Sequence, residues 1–313
     1  MDATKREFKN KHYFKYGWLV LALGLALVVF LLAEPTYATS NTRTLPEIRA
    51  TVTGVTVHRN NQAEIDASNL AEGYVLVRYT GGRNVRIAVQ VTKQGTTTTY
   101  TYFINSAGNF ETLPLTEGNG RYTITILENI SGNSFKQVLS ATVNMTLRDE
   151  FLPFLYPNQY VNFTTTGNVA ARAKELADAD STLQTLQNIF DYVTKNLTYD
   201  FELAATVQSG YLPDVEHILE IRKGICFDYA ALMTAMLRLN NIPCQLVIGY
   251  AGREYHAWIN VYIPETGWID QAIFFDGETW SMIDPTFISM ASSTAEVLRR
   301  TGREGFYRRM FTY

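Results

Sequence analysis

The sequence has only two cysteines, Cys226 and Cys244, in 313 residues. A chain so poor in cysteine is not a scaffold built on disulfides. Charge is also sparse. Charged residues make up 18% of the chain and the net charge is −3. Nucleic-acid binding asks for a basic face, so no nucleic-acid partner is expected. Disorder is excluded from the other side, because 46% of the residues are hydrophobic and a packed core is feasible. The length suits one large domain, or two ordinary ones with a tail.

One long apolar run is present. Lys5, Arg6, Lys9, Lys11 and Lys15 precede residues 17–33, which carry no charge. Such a run, about 17 residues long, sits at the short end for a spanning helix and is slightly long for a signal core. Thr36-Tyr37-Ala38 offers small residues at −3 and −1 for cleavage after Ala38. Residues 1–38 therefore read as a signal peptide, or as a retained anchor that would make the membrane a partner. The cations precede the run, so either way residues 39–313 are expected outside the cytoplasm. The localisation is extracytoplasmic, secreted or membrane-anchored.

Residues 39–47 read as a polar linker. Residues 48–148 then show short alternating runs, at Thr51–Val57, Tyr74–Tyr79, Val85–Val91, Thr98–Phe103 and Tyr122–Ile126, set between Gly, Asn and Ser clusters. That pattern predicts an all-β sandwich of immunoglobulin-like size. It holds no cluster of chemical residues, so it reads as a spacer or a binding module, with a cell-wall or envelope partner. Residues 149–313 form the second domain. Helical spacing runs from about Val169 to Leu197, with a break at Asp178–Thr182. A second helix covers 224–239. Strands follow at Cys244–Tyr250, His256–Ile263, Trp268–Phe274 and Thr279–Asp284. Helices followed by consecutive antiparallel strands make an α+β plan.

Gly224-Ile225-Cys226 opens the second helix. Free N–H groups and the positive end of the helix dipole favour an anion there, so the spacing predicts a depressed thiol pKa for Cys226. A thiolate is the useful nucleophile. A free cysteine here is equally a small core residue. The lengths that follow shift that balance. The helix is about 20 Å long at 1.5 Å per residue, and the strand Cys244–Tyr250 is also about 20 Å at 3.3 Å per residue. Asn240-Asn241 and Pro243 end the helix. An antiparallel return then delivers His256, as the first residue of its strand, toward Cys226. Cys244 falls at the other end of the helix, which excludes a Cys226–Cys244 disulfide. His256, Trp258, Asn260 and Tyr262 share a polar-aromatic strand face suited to a cleft, opposite the core face of Ala257, Ile259, Val261 and Ile263. A third group should orient the imidazole. Spacing leaves Asp270 and Asp284 as alternatives. The Cys226 N–H is a natural oxyanion donor, with Gln208 and Tyr211 as candidates for a second. Asp228 and Arg253 read as solvated charges, and the arginines at 299, 300, 303, 308 and 309 as a solvated basic helix face.

Gly224-Ile-Cys226, Ile242-Pro243, Val247-Ile-Gly-Tyr250, His256-Ala-Trp258, Gly267-Trp268 and Asp284-Pro-Thr286 occur in this order. Together they resemble the successive blocks of the transglutaminase-like superfamily over about residues 160–290. The resemblance implies a papain-like α+β core with a thiol nucleophile at Cys226, a general base at His256 and an orienting acid at Asp284 rather than Asp270. It departs at Asn241, where a glycine is common, and at an inserted hairpin, Gln271–Thr279. No acidic cluster stands at calcium-ligand spacing, so neither metal nor cofactor is expected. The implied function is an exported cysteine acyltransferase or protease acting on protein or peptide carbonyls through a thioester. The alternative is a non-catalytic surface module on the same fold.

Overall fold

The computed structural model describes residues 48–264, 266–275, 280–282 and 307–313. The apolar run 17–33, the linker 39–47 and Asp284 lie outside them. No helix among the described residues is long and apolar enough to cross a membrane.

The first half consists of two four-stranded antiparallel sheets. One runs in the order β1 (Val57–Arg59), β2 (Ala63–Asp66), β3 (Tyr74–Tyr79), β6 (Glu111–Pro114). The other runs β5 (Thr99–Ile104), β4 (Ile87–Lys93), β7 (Gly120–Ser131), β8 (Ser134–Met145). Period-two patterning explains which side chains turn inward. On β7, Tyr122, Ile124 and Ile126 are buried, while Thr123 and Thr125 bond across to Thr142 and Ser140 on β8. Val75 and Val77 of one sheet share a core with Val89, Val91 and Ile124 of the other. The expected strand at Thr51–Val57 is mostly absent. Asp66 draws that segment in instead, accepting from the N–H groups of Thr53 and Gly54.

The second half begins with α1 (Asn168–Glu175) and α2 (Thr182–Asn196). The break between them falls where the sequence puts it, because Ser181 caps α2 by accepting from the Gln184 N–H at 3.1 Å. Two short helices follow, α3 (Phe201–Thr206) and α4 (Val215–Ile221), capped by Asp200 and Asp214. Then comes α5 (Cys226–Leu239). Every α5 residue from Asp228 to Leu239 is buried. A helix apolar on all sides must be a core element, and α5 packs against α1, α2, α4 and the sheet.

That sheet has five strands in the order β14 (Trp280–Met282), β13 (Gly267–Phe275), β12 (Glu254–Ile263), β11 (Cys244–Ala251), β15 (Tyr307–Thr312). The expected hairpin Gln271–Thr279 begins within β13, whose Phe275 pairs with Trp280 of β14, and its residues 276–279 lie outside the described ones. A short parallel pair joins β9 (Thr198–Tyr199) to β10 (Lys223–Gly224).

Two arginines of the expected basic helix face, Arg308 and Arg309, lie instead on β15. The other three lie outside the described residues. The reason is the open edge of β11, whose N–H and C=O groups need a partner. The aromatic-rich run ending in Phe311, Thr312 and Tyr313 supplies one and buries Thr312 and Tyr313. The fully buried guanidinium of Arg238 locks this corner. It donates to the carbonyls of Cys244, Tyr156 and Tyr313 at 2.8, 2.9 and 2.6 Å. Tyr313 also joins the two halves, with ring centroids 5.7 Å from Tyr100 and 4.2 Å from Tyr160.

Candidate active site

Local backbone locks Cys226 in place. Asp214 caps α4, which ends on Arg222 in the left-handed region at φ 54°. β10 then runs two residues beside β9, with Thr198 N–H to Arg222 O at 2.9 Å and Asp200 N–H to Gly224 O at 2.8 Å. The chain turns at Ile225 and α5 starts at Cys226. The carboxylate of Asp228 closes this start. It accepts from the Ile225 N–H at 2.8 Å and from the Tyr211 hydroxyl at 2.8 Å. Gly224 makes room for it, since a Cβ at that position would stand 2.6 Å from the Asp228 Cβ. Asp228 is therefore not a solvated charge. It is buried, and burial pushes its carboxyl up. Arg253 is exposed on the β11–β12 turn, as read from the sequence.

The partly buried sulfur of Cys226 meets three donors: the N–H of Ala257 on β12, the N–H of Phe227, and the Tyr199 hydroxyl. Ala257 donates here because the pairing of β12 with β13 runs only from Ile263 to Ile259. The antiparallel return thus brings the residue next to His256 into contact with Cys226. The depressed thiol pKa expected from the helix start is not what the structure gives. Burial pushes the Cys226 thiol up and outweighs the three donors, and the carboxylate of Asp228 adds to the push. Cys244 is a different thiol. It is fully buried, unpaired, 3.6 Å from the Thr234 hydroxyl, and pushed up to about 12.

His256 is the third residue of β12 rather than the first, because the Ala251–Glu254 pair extends the hairpin. It pairs with Gly249, and its Nε2 is shielded from solvent. Glycine is required at 249, since a Cβ there would collide with the Arg308 carbonyl oxygen and stand 2.8 Å from the Trp258 ring. The strand face holding His256 is less open than the sequence implies. Trp258 is buried against Val247 and Tyr307. Asn260 is buried too, accepting from the Gln271 N–H at 2.9 Å and donating to Gln245 at 3.0 Å. Gln271 takes a left-handed φ of 56° in a bulge that sets residues 270–272 against Asn260 alone. That bulge carries Asp270, whose carboxyl is pushed up by burial and pulled down by Arg309 of β15. Of the two acid candidates, Asp270 is thus half-buried with Arg309 as a more distant counter-charge, and Asp284 lies outside the described residues.

The two candidates for a second oxyanion donor are spoken for. The Tyr211 hydroxyl donates to Asp228, and the Gln208 amide donates to the Thr206 carbonyl at 2.7 Å on the surface. Tyr199 was missed. Its hydroxyl accepts from the Cys226 N–H and donates to the Cys226 sulfur. The available signal was the short β run Leu197-Thr198-Tyr199 between a helix end and the capping residue Asp200. Among the described residues, no group of three or more His, Cys, Asp or Glu side chains is placed to hold a metal.

Residues 170–271 match the family model of the transglutaminase-like superfamily. A UPF0252 protein of Methanocaldococcus jannaschii is 31% identical over 94 residues, which is 26% of this chain and 27% of that protein. The chain thus spans about a quarter of the length of that curated relative. Among solved structures, a Cytophaga hutchinsonii protein provisionally assigned as a cysteine protease aligns at 15% identity and a TM-score of 0.36, covering 83% of this chain and 74% of that one. Red sea bream transglutaminase aligns at 14% identity and a TM-score of 0.31, covering 78% of this chain and 52% of that enzyme.

Proposed function

We propose, taking the transglutaminase-like domain at residues 170–271 as the premise, that this chain is an exported cysteine acyltransferase or protease. The observation that carries the reading is the contact between the Cys226 sulfur and the Ala257 N–H. It sets a thiol at a helix start beside the strand that bears the histidine. In this reading Cys226 attacks a carboxamide or peptide carbonyl, and His256 takes the thiol proton as the sulfur–carbon bond forms. The tetrahedral species collapses to a thioester. Its carbon–nitrogen bond breaks, and the nitrogen leaves with the proton from His256. An amine then resolves the thioester in cross-linking, or water does so in deamidation or proteolysis. Asp284 orients the imidazole. The raised thiol pKa gives His256 a definite task, because a resting thiol must lose its proton as the substrate arrives.

The substrate is a protein or peptide outside the cytoplasm, reached by export through residues 17–33. Two four-stranded sheets with a shared core support reading residues 48–148 as an immunoglobulin-like sandwich that engages an envelope or cell-wall component. One observation favours a second reading, a non-catalytic surface module: the thiol is buried and its pKa is raised rather than lowered.

The test compares wild type with Cys226→Ala on a library of glutamine-containing peptides, with and without an amine acceptor. Ammonia release with amine incorporation marks a transglutaminase, and cleaved peptides mark a protease. Identical behaviour of the two proteins supports the surface module and overturns the enzyme.

A further inference from the structure

The Tyr199 hydroxyl occupies a position that the proposed chemistry needs for another purpose. A tetrahedral intermediate on Cys226 places its oxyanion within reach of both the sulfur and the Cys226 N–H. Those are the two groups that the Tyr199 hydroxyl bridges. The tyrosine is not there by loose side-chain placement. Its backbone is paired residue for residue with Gly224, two positions before Cys226. A salt bridge between Asp200 and Lys223 at 3.0 Å reinforces the pairing. The ring is held between Phe201, centroids 4.9 Å apart, and Tyr229, 6.3 Å apart and nearly one turn along α5. A half-buried hydroxyl held this way keeps its proton at neutral pH, and burial together with the neighbouring Cys226 pushes its pKa up to about 12.

We propose that Tyr199 is a catalytic residue, the side-chain donor to the oxyanion, working beside the Cys226 N–H. This rests on the reading of Cys226 as nucleophile. As the sulfur attacks, the carbonyl π pair moves onto oxygen and the sulfur spends a lone pair in the new S–C bond. The Tyr199 O–H then loses its acceptor on sulfur and turns to the oxyanion formed beside it. The tyrosine keeps its proton throughout. The thiol proton goes to His256, and the leaving group departs when the oxyanion collapses. The arrangement also fits the thiol's high pKa, because the hydroxyl follows the negative charge from sulfur to oxygen.

Two reagents that differ in one respect test the proposal on the full chain. p-Nitrophenyl acetate acylates a thiol through a tetrahedral oxyanion and releases p-nitrophenolate. Iodoacetamide alkylates the same thiol with loss of iodide and no oxyanion. Both products are mapped to Cys226 by mass spectrometry. Tyr199→Phe should slow acetylation by about 100-fold, the usual cost of one oxyanion donor, and alkylation by no more than a few-fold. Tyr211→Phe should leave the ratio of the two rates unchanged. Equal losses with both reagents, or no loss of acetylation, would overturn the role of Tyr199. A wild type that is alkylated but never acetylated at Cys226 would overturn the nucleophile itself and this role with it. Circular dichroism checks that the variant folds. If it does not, 3-fluorotyrosine at position 199 keeps the hydroxyl and makes it more acidic. The ratio of acetylation to alkylation should then rise, and an unchanged ratio would count against the donor.

Discussion

Replacing Gly224 by alanine adds one methyl group in a tight corner of the site. The new Cβ would stand 2.6 Å from the Asp228 Cβ and 2.9 Å from its Oδ2, closer than side-chain atoms tolerate. Asp228 must move, and with it go its bonds from the Ile225 N–H and the Tyr211 hydroxyl. Losing a helix cap costs about 1 kcal/mol. A buried carboxylate that loses a partner adds about 1–3 kcal/mol. The sum, about 2–4 kcal/mol, corresponds to a fall in melting temperature of about 5–15 °C for a folded unit of this size. Thermal unfolding followed by circular dichroism measures it. Iodoacetamide labelling of Cys226 reports whether the start of α5 has shifted. The companion variant Asp228→Ala should be destabilised by a similar amount. The double variant should cost less than the two single losses together, because the cap and the hydrogen bonds of Asp228 can be lost only once. An unchanged melting temperature for Gly224→Ala, or strict additivity in the cycle, would refute the idea that glycine is needed at 224 to admit Asp228.

Three further outcomes follow from the same structure. Arg238→Met removes the shared donor to three carbonyls in the α5–β11–β15 corner and should destabilise by about 3–5 kcal/mol in urea unfolding. In the first half, burial alone would raise the Glu128 carboxyl, but the Tyr79 hydroxyl, Arg83 and Lys136 hold it below its ordinary 4.5. A depressed folded-state pKa contributes stability that is full above about pH 4.5 and is lost as pH falls through the lower folded value. Glu128→Gln should therefore flatten the unfolding free energy measured from pH 6 to pH 3. Because burial holds the Cys226 thiol above its ordinary 9.0, its alkylation should climb about tenfold per unit from pH 7 to 9, with Cys244 labelled only after unfolding. A plateau across that range would mean that Cys226 rests as a thiolate.

Much of the second half was legible in the sequence because its signals are local. Ser181 starts α2 by capping it. Asn241 takes the left-handed φ of 57° that the end of α5 needs. Equal helix and strand lengths brought β12 back to Cys226. What the sequence hid depends on contacts between distant segments. Nothing local in Arg308 and Arg309 says that the open edge of β11 will recruit them into a strand. The solvated reading of Asp228 failed because its burial depends on Tyr211, 17 residues earlier. The thiol pKa was misread for a related reason: the helix start is visible in the sequence, but the burial that outweighs it is supplied by β12 and β9. Tyr199 left only a faint signal, because a two-residue parallel strand carries almost no pattern. The orienting role of Asp284 remains part of the proposal, since that residue lies outside the described set.

The central claim is that Cys226 and His256 act together. Its most direct test is the amount of acyl-enzyme formed on Cys226 at pH 7 after exposure to p-nitrophenyl acetate, compared between wild type and His256→Asn. The proposed pairing predicts acetyl on Cys226 in the wild type, and a rate at least about 100-fold lower once the general base is gone. Equal acetylation in the two proteins would contradict it.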